Sequence, residues 1–228
     1  MSSAHDLTLR TTAGEFPLRE YRLRIAEREW SVLHTDAVLS ADDEAGFLGG
    51  GMRERPYGVV LWPAAIALAH DVASRPDALR GARLLELGAG TGLPGIVAAS
   101  LGARVVQTDR NELAMSVCRR NAARNGLATA IEHRLADWTA WTDAARYDWI
   151  VGSDILYAAA MHAHVRRILD TNLAPGGRVL LSDPFRPASL PLLEAMEADG
   201  WTVTLSKWRV GEDAAPRPIG VYELTRAG

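Results

Sequence analysis

A glycine-rich segment follows a short apolar run in the first half of the chain and could hold a nucleotide-like ligand. The run Leu84–Leu87 leads into Gly88-Ala89-Gly90-Thr91-Gly92, and a helical pattern begins directly afterwards. Glycine lets the backbone turn sharply and approach a ligand without a Cβ in the way. A strand, loop and helix of this kind place the ligand at the carboxyl end of the strand, where doubly wound sheets bind nucleotides.

Two carboxylates accompany this loop, and the pattern leaves two kinds of ligand open. The residues from Gly90 to Gly95 also match G-x-G-x-x-G, and Asp109 lies close to the position of the ribose-binding acid of a nicotinamide-dependent oxidoreductase. Any adenosine ribose offers the same hydroxyls, so Asp109 does not discriminate between the two ligands. Glu86 favours a cationic ligand, because a carboxylate in that strand would oppose a pyrophosphate.

The elements that must position these residues alternate between strands and helices from Leu61 onward. This alternation predicts an α/β, doubly wound, Rossmann-like fold with a mostly parallel sheet and helices on both faces. The last two strand-like runs have no helix between them and must therefore form an antiparallel C-terminal hairpin. The predicted sheet has seven strands, formed by RLLELG, ARVVQTD, IEHRLAD, YDWIVGSD, RVLLSD, WTVTLSKWRV and IGVYELTR.

Composition and charge exclude several classes of function. A net charge of −3 disfavours a general nucleic-acid binder, and the single cysteine, Cys118, excludes an intramolecular disulfide or a multi-cysteine zinc site. No pattern in the sequence requires a metal. The N-terminal residues lack a signal pattern and no apolar run is long enough to span a bilayer, so a cytoplasmic protein without membrane contact is expected.

Several motifs taken together resemble the class I, seven-β-strand methyltransferases that use S-adenosylmethionine. The resemblance covers Tyr57 to Gly228 and rests on ELGAGTG, Asp109 and GSDILY. Leu61-Trp62-Pro63, Asp137-Trp138 and the D-x-x-Y element from Asp154 to Tyr157 are similar to methyltransferase family 16, which includes many protein lysine methyltransferases. The segment from Asp183 to Pro187 also resembles a DPxRP element of the lysine methyltransferase that acts on the β-subunit of electron transfer flavoprotein.

The resemblance implies that S-adenosylmethionine is the cofactor and S-adenosylhomocysteine its product. It further implies that the acceptor is positioned by Asp154 and Tyr157. Asp137 would lie near the adenine amine, Trp138 against the ring, and Asp109 at the ribose hydroxyls. The residues implied to bind the cofactor are Trp62, Glu86, Gly88, Ala89, Gly90, Asp109, Asp137, Trp138 and Ser153.

The same resemblance divides the chain into residues 1–56 and 57–228. The first part is predicted as a small extension on the substrate side, with a strand pair from YRLRI and WSVLH and a helix after Ser40. The second part is the methyltransferase domain. Asp183 could belong either to the site or to a turn.

The function expected from these residues is N-methylation of a lysine side chain in a protein. A small-molecule N- or O-methyltransferase of a biosynthetic pathway is the alternative, since acceptor specificity depends on loops and a small amine would suit the same site. A non-catalytic cofactor-binding protein is a more distant alternative. Nucleic acid is an unlikely partner given the net charge.

Overall fold

Short strands precede the main sheet in the computed structural model, which describes residues 7–11, 14–38, 43, 57–211 and 216–226. Two antiparallel hairpins, β1–β2 and β3–β4, are followed by a short parallel pair, β5–β6. The segments YRLRI and WSVLH lie in β3 and β4. Of the helix predicted after Ser40, Asp43 alone is among the described residues, and it is helical. The strands are β1 (Thr8–Thr11), β2 (Gly14–Pro17), β3 (Arg19–Ile25), β4 (Arg28–His34), β5 (Asp36–Ala37) and β6 (Val60–Leu61).

The main sheet confirms the predicted α/β architecture. Its spatial order is β9-β8-β7-β10-β11-β13-β12, and neighbours are parallel except that β13 runs antiparallel to β11 and β12. The predicted C-terminal hairpin is therefore present. Within the described ranges the seven strands of this sheet are β7 (Arg83–Leu87), β8 (Arg104–Asp109), β9 (Ile131–Leu135), β10 (Tyr147–Ser153), β11 (Leu173–Asp183), β12 (Trp201–Val210) and β13 (Arg217–Arg226).

Helices cover both faces of this sheet, as expected of a doubly wound fold. Ile66 and Ile96 belong to a buried cluster on one face, and Ile168 and Met196 belong to a second buried cluster on the other. The helices of the described part are α1 (Pro63–Ala73), α2 (Pro76–Leu79), α3 (Leu93–Ser100), α4 (Glu112–Arg124), α5 (His162–Asn172) and α6 (Leu190–Ala198).

Local sequence signals set the ends of α1 and α4. Pro63 stands in the first turn of α1, where its missing N–H has no helical partner to lose. The side chain of Asn111 caps α4 by accepting the N–H of Leu113 at 2.9 Å. The same helix ends at Arg124 with Asn125 as its C-cap, and Gly126 follows with φ +77°, in the left-handed region that commonly ends helices.

Strand β11 begins earlier than the sequence predicts. The expected start was Arg178, but Leu173 already pairs with Tyr147, and Arg178 pairs with Trp149. The five-residue advance on β11 is matched by only two residues on β10, so the Pro-Gly-Gly segment forms a bulge within the pairing. The Pro-Gly-Gly segment, which is typical of turns, therefore lies inside the strand.

Asn121 connects the N-terminal hairpin to the glycine loop. Its amide accepts the N–H of Leu33 at 2.7 Å and donates to the carbonyls of Leu33 and Thr91 at 3.0 and 2.9 Å. The side chain is fully buried. One residue of α4 thus holds β4 against the loop between β7 and α3.

Asn121→Ala is expected to lower the free energy of unfolding by about 2–4 kcal/mol, because it leaves buried backbone groups of Leu33 and Thr91 unpaired. Urea denaturation followed by circular dichroism measures this loss. The comparison is Asn111→Ala, which removes one capping hydrogen bond and should cost about 1 kcal/mol. Equal losses in the two variants would show that the link between hairpin and loop adds no stability.

Candidate functional site

The glycine loop turns from β7 into α3 in a conformation that favours glycine. Gly88 and Gly90 have φ of +62° and +57°, in the left-handed region that glycine enters without steric strain. The N–H of Ala89 donates to the carbonyl of Thr108 at 2.9 Å, which fixes the loop to the end of β8. The turn that contains Gly88, Ala89 and Gly90 is therefore held at the carboxyl ends of β7 and β8.

Glu86 lies beneath this loop and is almost completely buried, with 1% of its surface exposed. Its Oε2 accepts the amide of Gln107 at 2.7 Å and the N–H of Gly95 at 3.1 Å, while its Oε1 is buried without a partner. Burial raises the pKa of Glu86 to about 8, although the hydrogen bonds from Gln107 and Gly95 act in the opposite direction. The free oxygen is a site for a proton or for a donor group of a ligand.

Gly95 and Gln107 complete the packing around Glu86. A Cβ on Gly95 would lie 2.3 Å from Glu86 Oε2, so this glycine permits close packing of α3 on the strands. Gln107 also donates to the carbonyl of Gly92 at 2.7 Å. Gln107 is not among the residues predicted from the sequence, where its one signal is a polar residue inside the apolar run RVVQTD.

Asp109 lies at the carboxyl end of β8 and faces the glycine loop. Its Oδ2 accepts the N–H of Gly90 at 3.1 Å, and its Oδ1 accepts the N–H of Asn111 at 2.9 Å. Burial raises the pKa of Asp109, although the hydrogen bonds from these two backbone N–H groups act in the opposite direction. Each oxygen keeps a lone pair, so the carboxylate can accept further hydroxyl donors.

Two aromatic groups flank the loop from opposite chain segments. Trp62 stacks on Tyr57 with ring centroids 5.9 Å apart, and the carbonyl of the adjacent Gly58 lies 3.4 Å from the position of a Cβ on Gly90. The ring of Trp138 lies 3.4 Å from where a Cβ on Gly88 would be. Trp138 is thus next to the loop, and Trp62 stacks on the residue that precedes Gly58 in the chain. Tyr57 was not singled out from the sequence.

Asp137 has a local structural role in the described fold. It is exposed, and its Oδ1 accepts the N–H and the hydroxyl of Thr139, each at 2.8 Å, at the start of the one-turn 3₁₀ helix Trp138–Ala140. These hydrogen bonds lower the pKa of Asp137. The contact with an adenine amine implied by the resemblance stays a prediction.

Ser153 and Asp154 lie at the carboxyl end of β10, where Arg186 reaches across from the segment after β11. Nε and an Nη of Arg186 donate to the two oxygens of Asp154, both at 2.9 Å, and the Asp154 side chain is 8% exposed. The N–H of Asp154 donates to the carbonyl of Ser182 at 2.8 Å. Asp154 has φ +50°, an uncommon conformation for a non-glycine residue.

Asp183 anchors the segment that carries Arg186. Its side chain is fully buried and accepts the N–H of Arg186 at 2.6 Å and the hydroxyl of Ser189 at 2.5 Å. Burial raises the pKa of Asp183. The question left open by the sequence is answered in part, since the carboxylate of Asp183 holds a turn next to the site.

The exposed ring of Tyr157 marks the outer side of the same region. Its side chain is 62% exposed, three positions after Asp154 in the loop that follows β10. Phe185, with φ +61°, is also partly exposed on the neighbouring segment. A left-handed conformation of a bulky residue is strained by about 1–3 kcal/mol and is often found at functional sites.

The carboxyl ends of β7, β8 and β10 thus bring Glu86, Asp109 and Asp154 to one edge of the sheet, and Arg186 reaches this edge from the segment after β11. Two carboxylates, Glu86 and Asp109, lie at the glycine loop, and a third, Asp154, is paired with an arginine on the adjacent strand ends. No described helix is long and apolar enough to cross a membrane. Within the described ranges no group of three or more His, Cys, Asp or Glu side chains is arranged to hold a metal.

Comparison with known proteins gives a family match over much of the chain. Residues 51–189 match the model of a family described as lysine methyltransferase. A protein N-lysine methyltransferase, METTL21A, from Danio rerio is 32% identical over 76% of this chain and 71% of its own length. The METTL21A of Xenopus tropicalis is 42% identical over 43% of this chain and 47% of its own length. The histone-arginine methyltransferase METTL23 of Mus musculus is 40% identical over 31% of this chain and 29% of its own length.

A solved structure supports the same fold. The 16S rRNA N2 G1207 methyltransferase of T. Thermophilus, determined in complex with AdoMet and guanosine, superimposes with a TM-score of 0.61. The match covers 92% of this chain and 51% of that one, at 22% sequence identity. The chain spans about half the length of that structure and of the Xenopus relative.

Proposed function

The chain belongs to the lysine methyltransferase family, and on that premise we propose that it methylates the side-chain amine of a lysine in a protein. It is an S-adenosylmethionine-dependent methyltransferase of class I fold. The observation that carries the proposed acceptor is the carboxylate of Asp154, fixed by Arg186 and followed three positions later in the same loop by the exposed Tyr157. A cytoplasmic location is part of the same proposal and is tested by fractionating cells that express the tagged chain.

The residues around the glycine loop fit S-adenosylmethionine. The cofactor carries cationic amino and sulfonium groups and no phosphate, and the buried, unpartnered Oε1 of Glu86 is an acceptor suited to such a ligand. Asp109 offers acceptors for ribose hydroxyls, and Trp62 and Trp138 offer aromatic faces near the loop. When bound, the cofactor supplies a methyl group that its sulfonium has already activated.

The protein must then orient a neutral amine and exclude water from it. A lysine has a solution pKa of about 10.4, so its ammonium must lose a proton to solvent before it can act as a nucleophile. Asp154 can accept an N–H of the neutral amine, which directs the nitrogen lone pair, while the ring of Tyr157 can pack against the aliphatic stem of lysine. Correct orientation of the reactants can contribute several kcal/mol toward lowering the barrier, with ~7–11 kcal/mol as an upper range.

Arginine is a second candidate acceptor, favoured by the similarity to METTL23 from several animals. A guanidinium would have to bind where Asp154 already pairs with the guanidinium of Arg186, so the geometry favours an amine. A small-molecule N- or O-acceptor is the remaining alternative.

Incubating the enzyme with tritiated S-adenosylmethionine and a desalted total protein extract tests the proposal. We expect tritium in protein retained by a filter, at a level well above that of a reaction without enzyme. A parallel reaction contains the small-molecule fraction of the same extract. Labelling of that fraction alone would replace the proposed function by small-molecule methylation.

Binding of S-adenosylmethionine is expected to tighten as the pH rises, by up to about tenfold per pH unit, and to level off near the pKa of Glu86. In the unliganded protein that pKa is about 8, so Glu86 carries a proton at neutral pH. A cationic ligand favours the ionised carboxylate, and binding below this pKa must therefore release the proton. Isothermal titration calorimetry in two buffers of different ionisation enthalpy measures the release.

Glu86→Gln is the matched control for this pH dependence, because the amide has the shape of the acid and does not titrate. Both proteins share the other groups that can ionise, which are the cofactor's own amino group, Asp109 and the neighbouring Cys118. The steeper rise in affinity for S-adenosylmethionine with pH should therefore occur in the wild type alone. Identical slopes in the two proteins would contradict the assignment of Glu86 to the cofactor.

A further inference from the structure

Arg186 is not among the residues that the sequence motifs assign to the site, yet it makes the most specific contact to Asp154. Two parallel N–H groups of its guanidinium donate to the two carboxylate oxygens, each at 2.9 Å. Bidentate pairing of this kind fixes orientation as well as distance, which a single point charge does not. The Asp154 carboxylate therefore has one defined direction relative to the end of β10.

The guanidinium is itself held by the segment after β11. The backbone N–H of Arg186 donates to Asp183, which is fully buried and also accepts the hydroxyl of Ser189. The preceding residue, Phe185, has a positive φ and lies against Gly220 of β13, where a Cβ would be 3.2 Å from the Phe185 ring. The backbone on both sides of the arginine is thus constrained, and its side chain reaches the neighbouring strand end from a fixed base.

We infer that Arg186 is a positioning residue for methyl transfer, an inference that rests on the proposed function. By occupying one lone pair on each oxygen of Asp154, it leaves the remaining lone pairs to accept an N–H from the acceptor amine. Its charge also balances the charge of the carboxylate, which weakens the attraction of the site for a protonated ammonium relative to the neutral amine. The pair thus reduces the preference of the site for the unreactive ammonium and holds the carboxylate that orients the amine.

Three variants of the full chain test this inference: Arg186→Gln, Arg186→Lys and Arg166→Gln. The last is a matched control, because the guanidinium of Arg166, on α5, also donates two hydrogen bonds to carboxylates, one to Asp170 and one to Asp199. Each protein is assayed with tritiated S-adenosylmethionine and the desalted protein extract. Calorimetric Kd values for S-adenosylhomocysteine and thermal unfolding midpoints are measured on the same samples.

Arg186→Gln is expected to lower the rate of methyl transfer by about 10- to 100-fold, since small misplacement of a reacting group has effects of this size. Its Kd for S-adenosylhomocysteine and its unfolding midpoint should match those of Arg166→Gln. Arg186→Lys should recover only part of the rate, because an ammonium keeps the charge but not the paired donors.

Three results would overturn the inference while leaving the proposed function in place: an Arg186→Gln rate equal to that of Arg166→Gln, full recovery in Arg186→Lys, or a parallel loss of S-adenosylhomocysteine binding. A wild-type enzyme that binds S-adenosylhomocysteine but labels no protein would overturn the proposed function, and the role of Arg186 with it.

Discussion

Asp109→Asn is expected to weaken the binding of S-adenosylhomocysteine by at least about 100-fold, which corresponds to about 2.7 kcal/mol. The carboxylate uses one oxygen for the N–H of Gly90 and the other for the N–H of Asn111. An asparagine can accept only one of these hydrogen bonds, and its NH₂ group would face the second donor. The substitution therefore displaces either the glycine loop or the start of α4, and it removes an acceptor for the ribose hydroxyls.

Calorimetric titration with S-adenosylhomocysteine measures this effect, and Asp143→Asn is the control. Asp143 also accepts several hydrogen bonds, including the Tyr147 hydroxyl at 2.7 Å and the N–H of Ala145 at 2.9 Å, but it lies away from the glycine loop. Its variant should bind S-adenosylhomocysteine as the wild type does. A Kd for Asp109→Asn within about threefold of the wild type would remove Asp109 from the cofactor site.

Asp154→Asn is expected to lower turnover by at least about 100-fold while cofactor binding is retained. The amide cannot accept both donors of Arg186, so one N–H would face an NH₂ group and the side chain would lose its fixed direction. The acceptor amine then loses the group that orients it. Because Asp154 lies after β10, while the loop residues that hold the cofactor follow β7 and β8, Kd for S-adenosylhomocysteine should change little.

Tyr157→Phe serves as the graded comparison for Asp154→Asn. It keeps the exposed ring that can pack on a lysine stem and removes only the hydroxyl, so a loss of about tenfold or less in turnover is expected. Both variants are assayed for tritium transfer and for S-adenosylhomocysteine binding. Unchanged turnover in both variants would exclude Asp154 and Tyr157 from the acceptor site.

The sheet could be predicted from the sequence because its signals are local. Each strand is a short apolar run between a helix and a turn, and the two final runs without a helix between them require an antiparallel pair. The glycine loop could be predicted for the same reason, since strand, loop and helix are contiguous from Leu84 to Ser100. The position of Asp109 followed from the carboxyl end of the next strand.

The contacts that hold the site together could not be predicted, because they join residues far apart in the chain. Asn121 and Leu33 are 88 positions apart, and Arg186 and Asp154 are 32 positions apart. In the sequence Asn121 is one polar residue of an amphipathic helix and Arg186 is one letter of a weak motif. Their roles depend on which elements pack together. The burial that raises the pKa of Glu86 depends on the same packing.

The identity of the methylated residue tests the proposed function most directly. Protein labelled by the wild-type enzyme with tritiated S-adenosylmethionine is hydrolysed to amino acids, and the tritium is assigned by chromatography against methylated standards. Label in methyllysine, absent from the Asp154→Asn reaction, is the expected result. Label in methylarginine would contradict the proposal and would align this chain with relatives such as METTL23.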